Sequence, residues 1–576
     1  MSSATPDVVG FTSGFFRQAI HFTPGKALAP DESACADGGG RSVRIGGAGG
    51  FWGDRVYAPV ELLKHEPLDY IMLDYLAELT LSIMAKQKAR DASAGWATDL
   101  TDWLRAGGMT ELHAQGVKLI TDAGGANPEA CARAVLEVAR DSGWNECKVA
   151  IVVGDDIMPR LPVLFELDHP LEHMETGESL AESGERVIAA NAYLGAGPIA
   201  AALEDGANIV ITGRVADASL LVGCMLHAAG WAENAIELGL TRQDPLTDWA
   251  PADVDDPLEV LAQWTVAGHL IECGAQVTGG NSTDWETIPE LTDLALPVAE
   301  VSADGTVVIT RAERGGGRVD RRTVAEQLVY EIGDPAAYIT PDVVIDMRQI
   351  TLEETGPERV TVAGARGEPQ PDDLKVSAAV EGGWFASSSL LVSGPNAIER
   401  AESCDALLRG RLAENEELVI QSEFIGAGIT LPPGVPRSKE LIGDPPEVLL
   451  RWAVRSDDRR QVVRFGREVA PLVLTGPAGV AGYGARPKPR RQLRYWPALI
   501  PRQMVEPLVR IEVLTVSDLP RSVDRLTLVR QRTQRFIERL REELEEREWA
   551  RPLARRLNPE AKEMLEQGHG QEEAHG

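Results

Sequence analysis

The sequence contains little cysteine, and the spacing of its cysteines excludes two common kinds of site. The six cysteines are Cys35, Cys131, Cys147, Cys224, Cys273 and Cys404, with no C-x-x-C pair among them. Structural zinc sites and disulfide frameworks both depend on such closely spaced cysteines. We therefore expect neither a metal site nor a disulfide framework, and we expect a reducing compartment.

Long apolar runs and an excess of positive charge are also missing. No segment approaches the roughly 18 uninterrupted apolar residues of a membrane span, and the start, MSSATPDVVGFTSGFF, has no basic stretch followed by an apolar one. The 57 basic residues face 88 acidic ones, and the resulting net charge of −31 repels nucleic-acid phosphates. These features predict a cytoplasmic protein that binds neither membranes nor nucleic acid.

Common cofactor motifs are absent as well. The sequence has no P-loop, and GGAGGFWGD fails the dinucleotide fingerprint because Trp52 stands where its last glycine would fall. The H-x-x-E pair of His269 and Glu272 supplies two metal ligands at most, and no further histidine cluster completes it. Acid/base chemistry without a cofactor is the class of reaction that remains.

What is present indicates a globular α/β protein. The 576 residues are 44% hydrophobic, 5% aromatic and 25% charged, a composition typical of folded domains. Strand-like runs such as GVKLITDAGG, KVAIVVGDD and ANIVITGR alternate with segments of helical periodicity. This alternation predicts a mainly parallel sheet with helices on both faces, and ligands at the carboxyl ends of its strands.

The pattern divides into four predicted regions. Residues 1–41, rich in Gly, Pro, Ser and Asp, are predicted to be a flexible segment, and residues 42–345 an α/β core domain. Shorter strand-like pieces over residues 346–516 predict a smaller α+β domain. Residues 517–576 are predicted to form an amphipathic helix, from about Ser522, and a disordered tail.

Three turns that follow strand-like runs are candidate substrate-binding loops. They contain Gly49 and Gly50 in GGAGGFWGD, Gly124, Gly125 and Asn127 in TDAGGANP, and Arg214 and Asp217 in VITGRVADASL. Glycines let backbone N–H groups approach an anion, and an arginine fork suits a carboxylate. Each loop also has a structural alternative. GGAGGFWGD can be a structural turn, and TDAGGANP can be a helix start with Asn127 as N-cap and Pro128 as first residue. In VITGRVADASL, Arg214 and Asp217 can form an ion pair that braces the loop.

The richest polar segment is AGHLIECGAQVTGGNSTDW, residues 267–285, and it is the preferred active site. His269 and Glu272 are three residues apart, so on a helix the carboxylate can orient the imidazole as a general base. Cys273 is a candidate nucleophile activated by His269, although lone cysteines are more often small buried hydrophobes. The other predicted binding residues here are Gln276, Thr278, Gly279, Gly280, Asn281 and Asp284.

Several long blocks in order, among them RIGGAGGFWGD, DAGGANP, VITGRVADASL and VAGHLIECGAQVTGGNSTDW, resemble the acyclic terpene utilisation AtuA family. The resemblance runs from about Arg44 to about Ser377 and continues more weakly to near Val516. It implies a role in catabolism of acyclic terpenoid acids, such as citronellate and geraniate, handled as coenzyme A thioesters. Family members often carry a C-terminal ferredoxin-like domain with an R-S-G-D-K-G-N type block, which is not found in this sequence. Either a separate small subunit supplies that domain as a partner, or the domain is dispensable.

Three functions follow from these observations. The favoured one is a cofactor-independent lyase of the hydratase/dehydratase type acting on a branched carboxylic acid or acyl-CoA. The second is a hydrolase or acyl transferase that uses Cys273. The third is a non-catalytic ligand-binding or scaffolding subunit, and a homo-oligomer is expected in each case.

Overall fold

The computed structural model describes residues 42–413, 417–432, 435 and 442–519. Its contacts divide the chain into two units, Met1–Val516 and Ser517–Gly576, and the following description concerns the first. The predictions for residues 1–41 and for the helix from about Ser522 fall outside the described residues.

The strands are β1 Val43–Gly47, β2 Tyr70–Leu73, β3 Lys118–Thr121, β4 Lys148–Val153, β5 Arg186–Ala192, β6 Ile209–Thr212, β7 Pro297–Val301, β8 Val307–Arg311, β9 Tyr338–Ile339, β10 Val344–Asp346, β11 Thr351–Gly356, β12 Arg359–Ala363, β13 Arg366–Glu368, β14 Asp373–Ser393, β15 Val419–Ile425, β16 Glu447–Ser456, β17 Val480–Tyr483, β18 Arg490–Pro501 and β19 Arg510–Thr515.

The helices are α1 Ala58–His65, α2 Thr80–Arg90, α3 Asp99–Trp103, α4 Met109–Gln115, α5 Pro128–Asp141, α6 Leu161–Glu166, α7 Gly197–Glu204, α8 Ser219–Ala228, α9 Trp231–Glu237, α10 Pro257–Glu272, α11 Arg321–Leu328, α12 Ala397–Leu412, α13 Arg459–Val469, α14 Leu472–Thr475 and α15 Arg502–Val505. Within the described residues, none is both long and apolar enough to cross a membrane.

The largest sheet confirms the α/β class but is mixed. Its strand order is β11-β12-β8-β7-β1-β2-β3-β6-β4-β19. The five central strands, in the order β1-β2-β3-β6-β4, pair in parallel. The strands on both flanks pair antiparallel. The expectation of a mainly parallel sheet therefore holds for its centre, where helices separate successive strands, and is wrong for its flanks.

Helices pack on both faces of this sheet, as two adjacent glycines of β1 show. A Cβ on Gly46 would lie 2.7 Å from a side-chain carbon of Leu62 on α1. A Cβ on Gly47 would lie 2.3 Å from the carbonyl oxygen of Ile271 on α10. Because successive residues of a strand face opposite sides, α1 and α10 cover opposite faces. Glycine at both positions permits this close approach.

A second sheet has the order β15-β16-β14-β17, and β18 and β5 also pair with β14. The large sheet takes β11, β12 and β19 from beyond residue 346, and the second sheet takes β5 from before it. Both sheets thus contain strands from both sides of that point. The division into domains at residue 346 stays a prediction.

Candidate functional site

Charged residues follow the central parallel strands at one edge of the large sheet. Asp74 and Asp122 come directly after β2 and β3, while Asp155 and Arg214 come two residues after β4 and β6. Since these strands are parallel, their carboxyl ends lie at the same edge. All four side chains are buried, so this edge holds a charged cluster inside the protein.

Arg214 is the centre of that cluster, and the protein itself occupies its guanidinium. The side chain is 1% exposed. Its Nε donates to the carbonyl of Val215 and its Nη1 to the carbonyl of Leu76, each at 2.6 Å. Its Nη2 is paired with Asp217. Arg214 was expected to be a candidate carboxylate anchor, but the alternative, an ion pair that braces the loop, describes what the structure shows.

The carboxyls around Arg214 are held in surroundings that favour their neutral form. Burial raises the pKa of Asp122 to about 6, although Arg214, 3.8 Å away, lowers it. Burial, together with Asp217 and Asp122, raises the pKa of Asp74 well above its usual range. The sequence prediction missed Asp74 and Asp122, yet each directly follows an apolar run, in YIMLD and KLITD.

A cavity of about 410 Å³, here called the His269 cavity, lies beside this cluster. Three of the predicted site residues, Asp217, His269 and Glu272, line it. The additional lining includes Glu78, Tyr193, Tyr330, Glu331, Ile332, Tyr338, Ile339, Asp373, Leu374 and Lys375. Tyr330, Glu331, Ile332 and Tyr338 belong to AEQLVYEIGDPAAY, a polar segment that the sequence indicates only as a secondary candidate. The others come from distant segments, and neither motif nor spacing indicated them.

His269 and Glu272 share a face at the end of α10, as their spacing predicts. His269 Nδ1 and Glu272 Oε1 are 2.9 Å apart, and His269 Nε2 lies 3.3 Å from the carbonyl oxygen of Leu328. Both ring nitrogens therefore have a partner. The other carboxyl oxygen, Glu272 Oε2, is buried and has no hydrogen-bond partner within the described residues.

Their protonation is coupled. Burial raises the pKa of Glu272 to about 7, while the neighbouring imidazole of His269 acts in the opposite direction. Burial disfavours the charged form of His269, but the carboxylate of Glu272 and the backbone hydrogen bonds with Leu328 and Gln327 together outweigh this effect and raise the pKa of the imidazole. A carboxyl whose pKa lies near neutrality can both accept and donate a proton at physiological pH.

Lys375, on β14, is the cation that lines the His269 cavity. Its Nζ lies 4.9 Å from the ring centre of Tyr193, and the guanidinium carbon of Arg214 lies 4.6 Å from the same ring. Because Arg214 is already occupied, Lys375 is the better candidate to bind an anionic group in this cavity. Long-range pairing of β14 brings it there, so the sequence offered no indication.

Cys273 follows Glu272 but is not part of the cavity lining. Burial, reinforced by Glu272, raises the pKa of its thiol well above the usual range, which disfavours the thiolate that a nucleophile needs. A Cβ on Gly50 would lie 2.9 Å from Cys273 Cα. Gly50 therefore allows the β1 loop to contact the end of α10 closely, which accounts for this glycine without a ligand.

The remaining polar residues of the same segment form a structural loop outside the His269 cavity. Thr278 Oγ1 donates to the carbonyl of Ala295 at 2.7 Å. Gly280 N–H donates to the carbonyl of Ala275, and Asp284 is paired with Arg322. The other predicted binding residues of this loop are Gln276, Gly279 and Asn281, and the structure does not bring them to the cavity.

The predicted TDAGGANP loop lies at a different cavity, which Gly125 lines. A Cβ on Gly124 would lie 2.4 Å from the carbonyl oxygen of Thr212, so close packing requires this glycine. Asn127 is the N-cap residue of α5 and Pro128 its first residue, as predicted, but the Asn127 side chain makes no cap hydrogen bond. Its amide instead donates to the carbonyls of Ala92 and Ala94. Gly49 lines a small crevice apart from both cavities.

Among the described residues, no group of three or more His, Cys, Asp and Glu side chains is arranged to hold a metal ion. The sequence matches the family model described as acyclic terpene utilisation family protein AtuA, over residues 43–239 and 247–511. No curated protein and no solved structure matches the chain.

Proposed function

The chain belongs to the acyclic terpene utilisation AtuA family, and we propose that it is a lyase of the hydratase/dehydratase type. Its substrate would be a branched carboxylic acid or the corresponding acyl thioester. The observation that carries this proposal is Glu272, which lines a ligand-sized cavity. Its pKa is about 7, and its buried Oε2 has no hydrogen-bond partner among the described residues.

In this proposal Glu272 is the catalytic acid and base, and His269 is a positioning residue. This assignment reverses the roles that the sequence predicted. Both nitrogens of His269 are occupied, by Glu272 Oε1 and by the carbonyl of Leu328, so the ring has no free lone pair to offer a substrate. Glu272 Oε2 does have one, and the hydrogen bond to Oε1 fixes its direction.

The carboxyl group of Glu272 alone can move the proton that dehydration requires. Glu272 removes a proton from the carbon next to the substrate's carbonyl group, and the bond between the neighbouring carbon and its hydroxyl breaks. A carbon–carbon double bond forms between the two carbons. The hydroxyl takes the proton from Glu272 and leaves as water, and hydration is the reverse. Tyr338, whose pKa burial raises well above its usual range, stays a neutral hydrogen-bond donor in the same cavity.

The rest of the lining suits a substrate with an anionic or polar head and an apolar branched chain. Lys375 provides the positive charge, while Ile332, Ile339 and Leu374 provide apolar surface. A volume of about 410 Å³ is in the range of small-molecule sites. It can hold a branched acyl group together with its carbonyl end.

The test compares wild type with Glu272→Gln, His269→Gln and the matched surface control Glu237→Gln, at the exposed end of α9. Each protein is incubated with branched enoyl and 3-hydroxyacyl thioesters and with their free acids, and mass spectrometry follows gain or loss of water. Glu272→Gln should reduce turnover by about 10²-fold or more, and the control should leave it unchanged.

His269→Gln gives a second readout that a merely structural role would not change. Because His269 lowers the pKa of Glu272, its removal should move the inflection of the pH–rate profile upward from about 7. A Glu272→Gln variant that keeps full turnover would refute the assignment. Ligand binding without turnover by any of the proteins would favour the non-catalytic role.

Cysteine-dependent hydrolysis has less support. The raised pKa of the Cys273 thiol and its position outside the cavity lining both disfavour attack on a substrate there.

A further inference from the structure

A second cavity, of about 460 Å³, opens at the same edge of the large sheet and is here called the basic cavity. Its walls come from the loops that follow β3 and β4 and from the segment before β19. Three cationic side chains line it, Lys88, Arg160 and Arg510. We propose that the basic cavity is a binding site for the phosphate group of a phosphate ester or diphosphate.

The charge distribution supports this proposal. In a chain of net charge −31, any site for a phosphate must be built from cations placed together locally. Arg160 and Arg510 are exposed and converge on this cavity from separate segments. The backbone N–H of Arg160 donates to the carbonyl of Ile157 and Arg510 pairs with Val153 of β4, but neither guanidinium makes an ion pair or hydrogen bond with the residues that the structure describes. Two unoccupied guanidinium forks in one cavity match the oxygens of a phosphate.

The two acidic residues of the same lining are already engaged by the protein. Asp155 Oδ2 accepts hydrogen bonds from Asn191 Nδ2 at 2.7 Å and from the backbone N–H of Arg214 at 2.9 Å. Burial raises the pKa of Asp155 to about 6, against these hydrogen bonds. Asp156 Oδ1 accepts from the N–H of Met158. The three cations of the lining still outnumber its two carboxyl groups.

The start of α5 adds the positive end of a helix dipole to the cations. Pro128 lines the basic cavity and is the first residue of this 14-residue helix. Asn127, which would ordinarily cap the helix, is directed toward the carbonyls of Ala92 and Ala94, so it leaves the first N–H groups to other acceptors. Pro128 has no N–H of its own, so this helix start contributes through the helix dipole, whose positive end favours an anion.

Arg214 connects the two cavities. Its backbone N–H bonds to Asp155 in the wall of the basic cavity, and its guanidinium pairs with Asp217 in the wall of the His269 cavity. A phosphate bound in the basic cavity could thus belong to a phosphorylated handle on the substrate, which rests on the proposed function. It could equally belong to a separate phosphorylated effector, which does not.

The test is isothermal titration with inorganic pyrophosphate. The proteins are wild type, the double variant Arg160→Gln/Arg510→Gln and the control Arg455→Gln/Arg467→Gln, which removes the same charge from exposed arginines on β16 and α13. We expect the first double variant to weaken binding by at least about tenfold and the control to bind as wild type does. No binding by wild type at millimolar pyrophosphate, or equal losses in both double variants, would overturn the proposal.

Competition identifies the source of the phosphate. If pyrophosphate displaces a branched enoyl-CoA but not the free acid, the basic cavity binds the phosphorylated part of the substrate. If pyrophosphate displaces neither, the basic cavity binds a separate phosphorylated effector. Glu272→Gln should bind pyrophosphate as tightly as wild type, because that residue lies in the other cavity. Failure of the proposed reaction would therefore leave this result intact.

Discussion

Replacing Arg214 with methionine tests whether a single buried cation holds the acidic edge of the sheet together. Methionine keeps much of the side-chain volume but removes the charge and the guanidinium donors. The change eliminates the hydrogen bonds to the carbonyls of Leu76 and Val215 and the pairing with Asp217. It also leaves Asp122, which is fully buried, without its nearest cation.

The expected cost is about 3–5 kcal/mol in the free energy of unfolding near neutral pH, as for other buried ion pairs that lose one partner. The cost should depend on pH. The pKa of Asp122 is already raised to about 6, and removing Arg214 takes away a cation that lowers it. For an acid with a raised pKa in the folded state, stability is complete below the unfolded pKa and decreases as pH rises through the folded pKa.

The variant should therefore lose more stability than wild type between about pH 5 and pH 8. Each further unit by which the pKa of Asp122 rises adds about 1.4 kcal/mol to the difference in free energy of unfolding between the variant and wild type at the upper end of this range. Equilibrium urea unfolding, followed by far-ultraviolet circular dichroism at both pH values, measures it. The matched control is Arg186→Met, whose side chain is 77% exposed and 3.5 Å from Glu381, and it should cost less than about 1 kcal/mol. A cost for Arg214→Met no larger than the control's, or one independent of pH, would refute the reasoning.

Two further substitutions test packing at the predicted binding loops. Asn127→Asp should destabilise the protein by about 1–3 kcal/mol in urea unfolding. The reason is that a carboxylate cannot donate to the two loop carbonyls that the Asn127 amide contacts. A change near zero would indicate that the side chain at position 127 caps the helix after all. Gly50→Ala should cost about 1–3 kcal/mol in thermal or urea unfolding, since its Cβ would lie 2.9 Å from Cys273 Cα, whereas Gly49→Ala, with its nearest atom at 3.7 Å, should change stability by less than about 1 kcal/mol. Equal effects at the two glycines would contradict the close-packing explanation.

The local chemistry of the chain was sufficient for several features of the site. The three-residue spacing of His269 and Glu272 predicts a shared helix face, and the structure shows their hydrogen bond. Apolar runs ending in polar residues predict ligand-binding loops at the carboxyl ends of parallel strands. The first inference depends on residues that are close in sequence, whose contact follows from helix geometry alone. The second stays a prediction as far as ligand binding is concerned.

The roles within the site did not follow from spacing. His269 Nε2 has no free lone pair because it donates its N–H to the carbonyl of Leu328, on α11. The raised pKa of Glu272 comes mainly from burial. Arg214 is occupied by Leu76 from the loop after β2. Leu328 and Leu76 are far along the chain from the side chains they contact. Only the folded arrangement therefore identifies which polar group remains available to a substrate.

By itself, the sequence determined the family, the α/β class, the parallel order at the centre of the large sheet and the His269–Glu272 pair. These features follow from the hydrophobic periodicity, from turn residues at the ends of strand-like runs and from several long motifs that occur in a set order. Only the tertiary structure decided that the flanks of the sheet are antiparallel, that Lys375 enters the His269 cavity from β14, and that Arg160 and Arg510 converge on a second cavity. The physical reason is that strand pairing, burial and charge convergence are set by contacts between distant segments, and residue type does not encode which distant segments meet.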